Sequence, residues 1–245
     1  MGGCRAWEAD GVRVVSFNIH HGTVGRRGPV DPEQLGAVCA SFDADVIALQ
    51  EVDRDTYRTG RADLAAVAAG ICGMAHVFGS SRWYPGGRYG NALLVRGTIT
   101  APTVTKLPKV PERQFWREQR TALEASVSVD GRPVRVAATH LSVPTAQNGV
   151  QLDWLLRRHL PGRPWPQIVL GDLNRPLSMV RDDAAAAGLQ AVEHGATFPV
   201  TKPKRAIDHV LLSPELRALS AEVRPTAMSD HAALVVDLAW ADDDA

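Results

Sequence analysis

The sequence predicts a layered α/β sandwich built from mixed sheets. Three observations lead there. Short apolar runs bounded by glycine or polar residues recur along the chain and read as buried strands. Helical patterns separate the strands early and late, whereas the middle carries Asp130-Gly131 between alternating residues, a hairpin signal. Finally, 245 residues with 45% hydrophobic and 22% charged side chains are enough for a full core without crosslinks, so one domain is expected over 1–245, with its core at about 12–240.

In chain order, "VRVVSFNI" (12–19) reads as a strand. Residues 31–42 read as a helix, with Asp31 as N-cap, Pro32 at the first helical position and Glu33 in the first turn. "DVIALQEVD" (45–53) is a second buried strand, and 61–71 is a helix closed by glycine. Residues 91–97 and the two arms within 121–141 are strands. An amphipathic helix follows at 145–160. "QIVLGDLN" is a strand leading into a helix that begins at Pro176, and strands at 205–213 and 232–240 complete the set. The stretches 82–90, 106–119 and 199–205 read as surface loops. There is no internal repeat.

Composition narrows the function classes. Lysine plus arginine equals aspartate plus glutamate, 27 each, so the chain lacks the basic surplus that drives binding to long nucleic acid. Three cysteines without a CxxC pair speak against a disulfide framework or a zinc knuckle; Cys39 and Cys72 read as small core residues. The first residues lack an apolar h-region, no apolar run reaches the length of a membrane span, and Ala6 stands where a myristoylation signal needs Ser or Thr. A reduced, cytoplasmic protein is expected.

Polar residues recur at the strand ends. The first strand ends in Asn18, with His20 and His21 just beyond; the second ends in Gln50-Glu51; one hairpin arm ends in Thr139-His140. Asp172 and Asn174 follow "IVLG", Asp208 lies in the strand near 207, and Ser229-Asp230-His231 precedes the last strand. Singly, each has an ordinary reading: Asp-Leu-Asn after a strand is equally an Asx-turn or half of a metal site. Six such groups, each at the edge of a core strand, point to a site. Asn18, Glu51, Asp172, Asn174 and Asp230 offer oxygen and no thiolate, a donor set for Mg2+ or Mn2+, with Glu51 and Asp230 the candidates for ligation. A pair between His231 and Asp208 would fix the imidazole tautomer and raise its pKa. His20 and His21 either face the site or are packed or solvated loop histidines, the latter being the reading for at least one.

These motifs, "FNIHHG", "LQEVD", "YGNALLV", "QRTAL", "ATHL", "VLGDLN", "IDHVLLS" and "SDHAALVVDL", occur in the order of the endonuclease/exonuclease/phosphatase superfamily, which the chain resembles from about residue 12 to 240. The resemblance implies a four-layer sandwich, two packed β-sheets flanked by helices, with the site at one edge. It also implies a metal-dependent phosphoesterase. Asn18, Glu51 and Asp230 would sit at the metal. Asp172 and Asn174 would orient water and phosphate. His231, held by Asp208, would contact the phosphoryl group, with His140 as the second histidine. Arg120 would face phosphate, and Asn91 would support the metal glutamate.

Substrate is less legible. "KLPKVPERQFWREQR" (106–120) has five basic residues against two acidic ones, plus Phe115 and Trp116, and reads either as a substrate-covering loop or as a surface loop anchored by its rings. Arg88 in "RWYPGGRYGN" is a candidate phosphate contact or an exposed arginine in a glycine-rich turn. The expected substrate is a phosphorylated small molecule or lipid head group. DNA or RNA cleavage is the alternative, and a non-hydrolytic binding or biosynthetic protein on the same scaffold is a third reading.

Overall fold

The computed structural model describes residues 11–110, 118–129, 131–158 and 165–241. Phe115, Trp116 and Asp130 lie outside the described residues.

Two six-stranded sheets form the centre, in the orders β11-β12-β1-β2-β4-β3 and β5-β6-β7-β8-β10-β9. The first contains β1 (Val12–Asn18), β2 (Val46–Arg54), β3 (Ala75–Tyr84), β4 (Gly87–Val95), β11 (Leu216–Arg224) and β12 (Ala233–Trp240). The second contains β5 (Thr98–Lys106), β6 (Thr121–Val129), β7 (Arg132–His140), β8 (Gln167–Asp172), β9 (Gln190–Ala191) and β10 (Asp208–Leu212). Each sheet has one parallel pair, β1 with β2 and β7 with β8. A helix sits in each of those two connections, α1 (Pro32–Ser41) and α3 (Thr145–Arg158), as parallel crossovers require. α2 (Leu64–Cys72) and α4 (Leu177–Ala186) complete the α-helices among the described residues.

The apolar runs are continuous because both faces of the central strands are covered. In β1, Val12 and Val14 enter the core between the sheets, whereas Val15 and Phe17 pack with Leu35, Cys39, Leu64 and Ala68 of α1 and α2. In β8, Ile168 and Leu170 face the other sheet, and Val169 packs with Leu152, Leu155 and Val180 of α3 and α4. Period-two alternation therefore creates four layers: helices, sheet, sheet, helices. Asp31 caps α1 through the Gln34 N–H at 2.9 Å, and Asp63 caps α2 through the Ala66 N–H. α2 ends at left-handed Gly73. Cys39 is buried and Cys72 half-buried, both in this helical layer. No helix among the described residues is long and apolar enough to cross a membrane.

The stretch 82–90, expected to be a surface loop, is instead the β3–β4 hairpin, with Trp83 paired to Arg88 and Tyr84 to Gly87. The strand expected at 91–97 begins at Gly87. β3, β5, β9 and β11 have no counterpart among the expected elements, and all four are edge strands. An edge strand is half-covered and mostly exposed, so it lacks the apolar run that marks a central strand. β5, "TITAPTVTK", has only half-exposed or exposed positions and carries Pro102, which an edge tolerates.

Candidate active site

Strand direction gathers the polar residues on one edge. β1, β2, β7 and β8 bring their C-terminal ends there. β10 and β12 run antiparallel to their neighbours and bring their N-terminal ends to the same edge. His140, Asp172 and Asp208 occupy one rung across β7, β8 and β10. Asn18 sits beside Gln50 on the facing sheet, and its Nδ2 donates across to Asp172 Oδ2 at 3.1 Å and to Glu51 Oε1 at 3.2 Å. Glu51 reaches this position because the β2–β4 ladder shifts register between Leu49 and Val52. Its backbone is left-handed (φ 59°), and such a bulge re-aims a side chain.

Asp172 is buried, and its two oxygens have different partners. Oδ1 accepts the Asn174 N–H at 3.0 Å, an Asx-turn. Oδ2 faces Asn18, His140 Nε2 at 3.4 Å and His231 Nε2 at 3.8 Å. The strand expected through Asn174 stops short of it: β8 ends at Asp172 and Asn174 is left-handed (φ 50°). Asn174 Nδ2 donates to Leu141 O, and Leu173 packs in the core under α3 and α4. Gly171 is required at the strand end, because a Cβ there would lie 1.9 Å from Thr139 O.

His231 Nδ1 donates to Asp208 Oδ2 at 2.9 Å, the expected pair. Burial would depress the His231 pKa, but Asp208, through its charge and this hydrogen bond, and Asp172 raise it to about 9, so the ring is cationic at neutral pH. Burial and the neighbouring Asp208 push Asp172 up to about 7. That is negative charge short of compensation, which a divalent cation alongside would supply. His140 is the opposite case: burial, the Arg120 guanidinium and His231 hold its pKa well below the usual histidine value, and the ring is neutral.

Two further residues complete the support: Thr197, which carries no sequence signal, and Ser229 of the Ser229-Asp230-His231 group. Thr197 donates its hydroxyl to Asp208 Oδ2 at 2.5 Å, while Asp208 Oδ1 is buried without a partner among the described residues. Ser229 donates to Asn18 O at 2.6 Å and accepts the His231 N–H, tying the loop before β12 to β1. The Thr197 carbonyl accepts the Ala232 N–H, and the Asp230 carbonyl accepts the Val200 N–H. No motif marks Thr197, which lies outside the strands in the loop before β10 and is itself held by the Ala232 N–H.

The other expected residues fall at varied distances from this cluster. Asp230 Oδ1 lies 4.0 Å from His20 Nδ1, beside Glu51's neighbours rather than Asp172's. Arg120 is buried next to His140 and lies 3.4 Å from Glu118 Oε1. Asn91 Nδ2 donates to Thr121 O, a tie between the sheets, and Thr139 donates to the same carbonyl. Arg88 is exposed on β4, opposite Arg54 and Trp83. Among the described residues two sets of donors are close enough for an ion: His20, His21 and Glu51, and Asp172, Asp208 and His231.

Two mixed sheets face to face, helices outside, and carboxylates and imidazoles where strands of both sheets end define a deoxyribonuclease I-like sandwich. The chain belongs to the endonuclease/exonuclease/phosphatase family, whose sequence profile matches residues 15–231. It is thereby a hydrolase of the phosphoesterase or nuclease class. Similar solved structures include an endonuclease/exonuclease/phosphatase from Beutenbergia cavernae, 25% identical with a TM-score of 0.81, covering 95% of this chain and 72% of that one. The human Nocturnin catalytic domain with bound sulfate is 22% identical with a TM-score of 0.71, covering 94% of each chain. A mannosyl-6-phosphatase from Bacteroides thetaiotaomicron is 15% identical with a TM-score of 0.70, covering 94% of this chain and all of that one, 100%. No curated protein matches the sequence.

Proposed function

We propose that the protein hydrolyses a phosphoester of a small molecule or lipid head group with the help of a divalent cation, Mg2+ or Mn2+. The observation that carries this reading is the His231–Asp208 pair set 3.8 Å from Asp172, a buried cation beside a buried carboxylate at a sheet edge. Glu51, Asn18 and Asp230 would hold the cation, which when bound stabilises negative charge on the phosphate. His231 donates from Nε2 to a phosphoryl oxygen and keeps its charge because Asp208 holds Nδ1. Asp172 Oδ2 orients the attacking water in line with the leaving group, and Asn174 Oδ1 aids it. Arg120 and His140 flank the leaving side, with Arg120 supplying positive charge. Asn91 keeps β6, and thereby Arg120, in register. Arg88, exposed on β4, would meet the rest of the substrate, and Trp116, outside the described residues, is the other residue proposed for that contact.

A neutral net charge supports a small substrate over long nucleic acid. Among substrates, sugar monophosphates come first, because a fold neighbour is a mannosyl-6-phosphatase. The test is a panel of sugar phosphates, nucleotides, lipid phosphates and supercoiled plasmid with Mg2+ or Mn2+. Release of phosphate or a head group from a small substrate is expected. Nicking of plasmid at low enzyme without small-substrate turnover would replace this reading by the nuclease one.

A further inference from the structure

We propose that His20 and His21 supply imidazole nitrogens to the cation at Glu51, and that this centre binds Mn2+, Co2+ or Zn2+ more tightly than Mg2+. The inference rests on the reading of Glu51 as a cation ligand and goes beyond it in donor type. One ligand atom from each of His20, His21 and Glu51 lies within 4.8 Å of the other two. Donors around a single ion with bonds of about 2.0–2.2 Å are separated by up to about 4.4 Å, so small side-chain rotations close the set.

The backbone is arranged to make this convergence. His20 (φ 43°), His21 (φ 46°) and Glu51 (φ 59°) are all left-handed, a conformation that costs a non-glycine residue energy and persists only where the surroundings enforce it. Here the enforcement is visible. The Ile19 N–H donates to Gln50 O, the Gly22 N–H closes a tight turn onto Ile19 O, and the His20 N–H donates to Asn18 Oδ1. The 3-10 turn His20–Gly22 thereby folds back against the β2 bulge, with the two rings 4.4 Å apart.

The ring nitrogens are allocated as ligation demands. His20 Nδ1 is engaged by Thr23 Oγ1 at 3.1 Å and lies 4.0 Å from Asp230 Oδ1, so Nε2 is the nitrogen left over. A metal-ligating histidine is oriented in this way through its other nitrogen. His21 Nδ1 is buried and has no hydrogen-bond partner among the described residues, a cost that a bond to an ion would remove. The cation next to His21 is Arg58, and Asp53 neutralises it through contacts at 2.5 and 2.8 Å. Two imidazoles and a carboxylate suit borderline ions such as Co2+ and Zn2+, and Mn2+, though harder, accepts imidazole more readily than Mg2+, which prefers oxygen alone.

The test uses the Mn2+-loaded protein and electron spin-echo envelope modulation, which detects nitrogen-14 bonded to the ion. Imidazole modulation is expected in the wild type, reduced in His21→Asn and lost in His20→Asn/His21→Asn. Asparagine is chosen because it tolerates the left-handed backbone. In parallel, competition with a chromophoric chelator should give the double variant at least about a tenfold loss of Zn2+ affinity, with Mg2+ affinity little changed. Bound Mn2+ without imidazole modulation in the wild type overturns the proposal. Modulation that survives in the double variant does so too, since it would then come from His140 or His231. Phosphoester turnover by a protein whose Mn2+ lacks nitrogen modulation would leave the functional reading standing and sink this one alone.

Discussion

One oxygen of Asp172 closes an Asx-turn and the other meets Asn18, His140 and His231, so the turn and the site are the same feature. The turn fixes the carboxylate, and the fixed carboxylate can then orient a water. Asp172→Ala and His231→Ala should each lower kcat by at least about 100-fold with the fold retained by circular dichroism. Turnover close to wild type in either variant would remove that residue from the reaction. Asp208 acts through His231. The folded-state pKa of His231 is raised to about 9, so the ring keeps its charge below that pH and loses it above. Activity that needs the cation should therefore fall above about pH 9. Asp208→Asn removes the charge that raises it, and the alkaline limb should move down by at least about one pH unit. An unmoved limb would assign the ionisation to another group.

Among the elements, the end of β8 is the most constrained. Gly171 passes so close to β7 that a methyl group would overlap Thr139 O. Gly171→Ala should destabilise the protein by about 3 kcal/mol in urea unfolding, because backbone must move and the backbone angle (φ 150°) disfavours a side chain. A cost below about 1 kcal/mol would mean that β7 and β8 can separate without loss. The same close approach leaves a mark in "VLGDLN" that reads as a strand end: a glycine, then short oxygen-bearing residues. The edge strands were not readable. β5 and β11 satisfy their backbone on one side only and bury little, so local pattern does not separate them from loops. The hairpin of β3 and β4 was hidden in the same way by glycine and arginine around its turn.

For the whole molecule, buried histidines set the acid limit of stability. Burial holds His209 at about 4, in spite of its hydrogen bond to Arg175 O, and His140 well below the usual value. Each is a base with a lowered folded pKa. Between about pH 4 and 6.5 the unfolded chain binds more protons, so stability falls as pH falls. His209 accounts for on the order of 3 kcal/mol between these limits. Asp172, an acid with a raised pKa, has the opposite sign in the same window and offsets part of this loss. Urea unfolding at pH 7, 6, 5 and 4 should show a declining midpoint, and His209→Gln should flatten the decline. A midpoint flat from pH 7 to 4 in the wild type would contradict it.

By itself the sequence determined the central strands, the capped helices and the chemistry at the strand ends. Those features leave a local pattern: apolar runs record two-sided burial, and Asp31 caps backbone three residues on. The family resemblance could be read because its motifs are those same strand ends. Tertiary structure alone decided the rest. It brought Asn18 from one sheet onto Asp172 of the other, chose Thr197 to hold Asp208, and turned His20 and His21 back toward Glu51. Asn18 meets Asp172 because the two sheets pack face to face, Thr197 reaches Asp208 by the path of the loop before β10, and the turn after β1 folds onto neighbouring β2; none of these contacts leaves a period in the sequence.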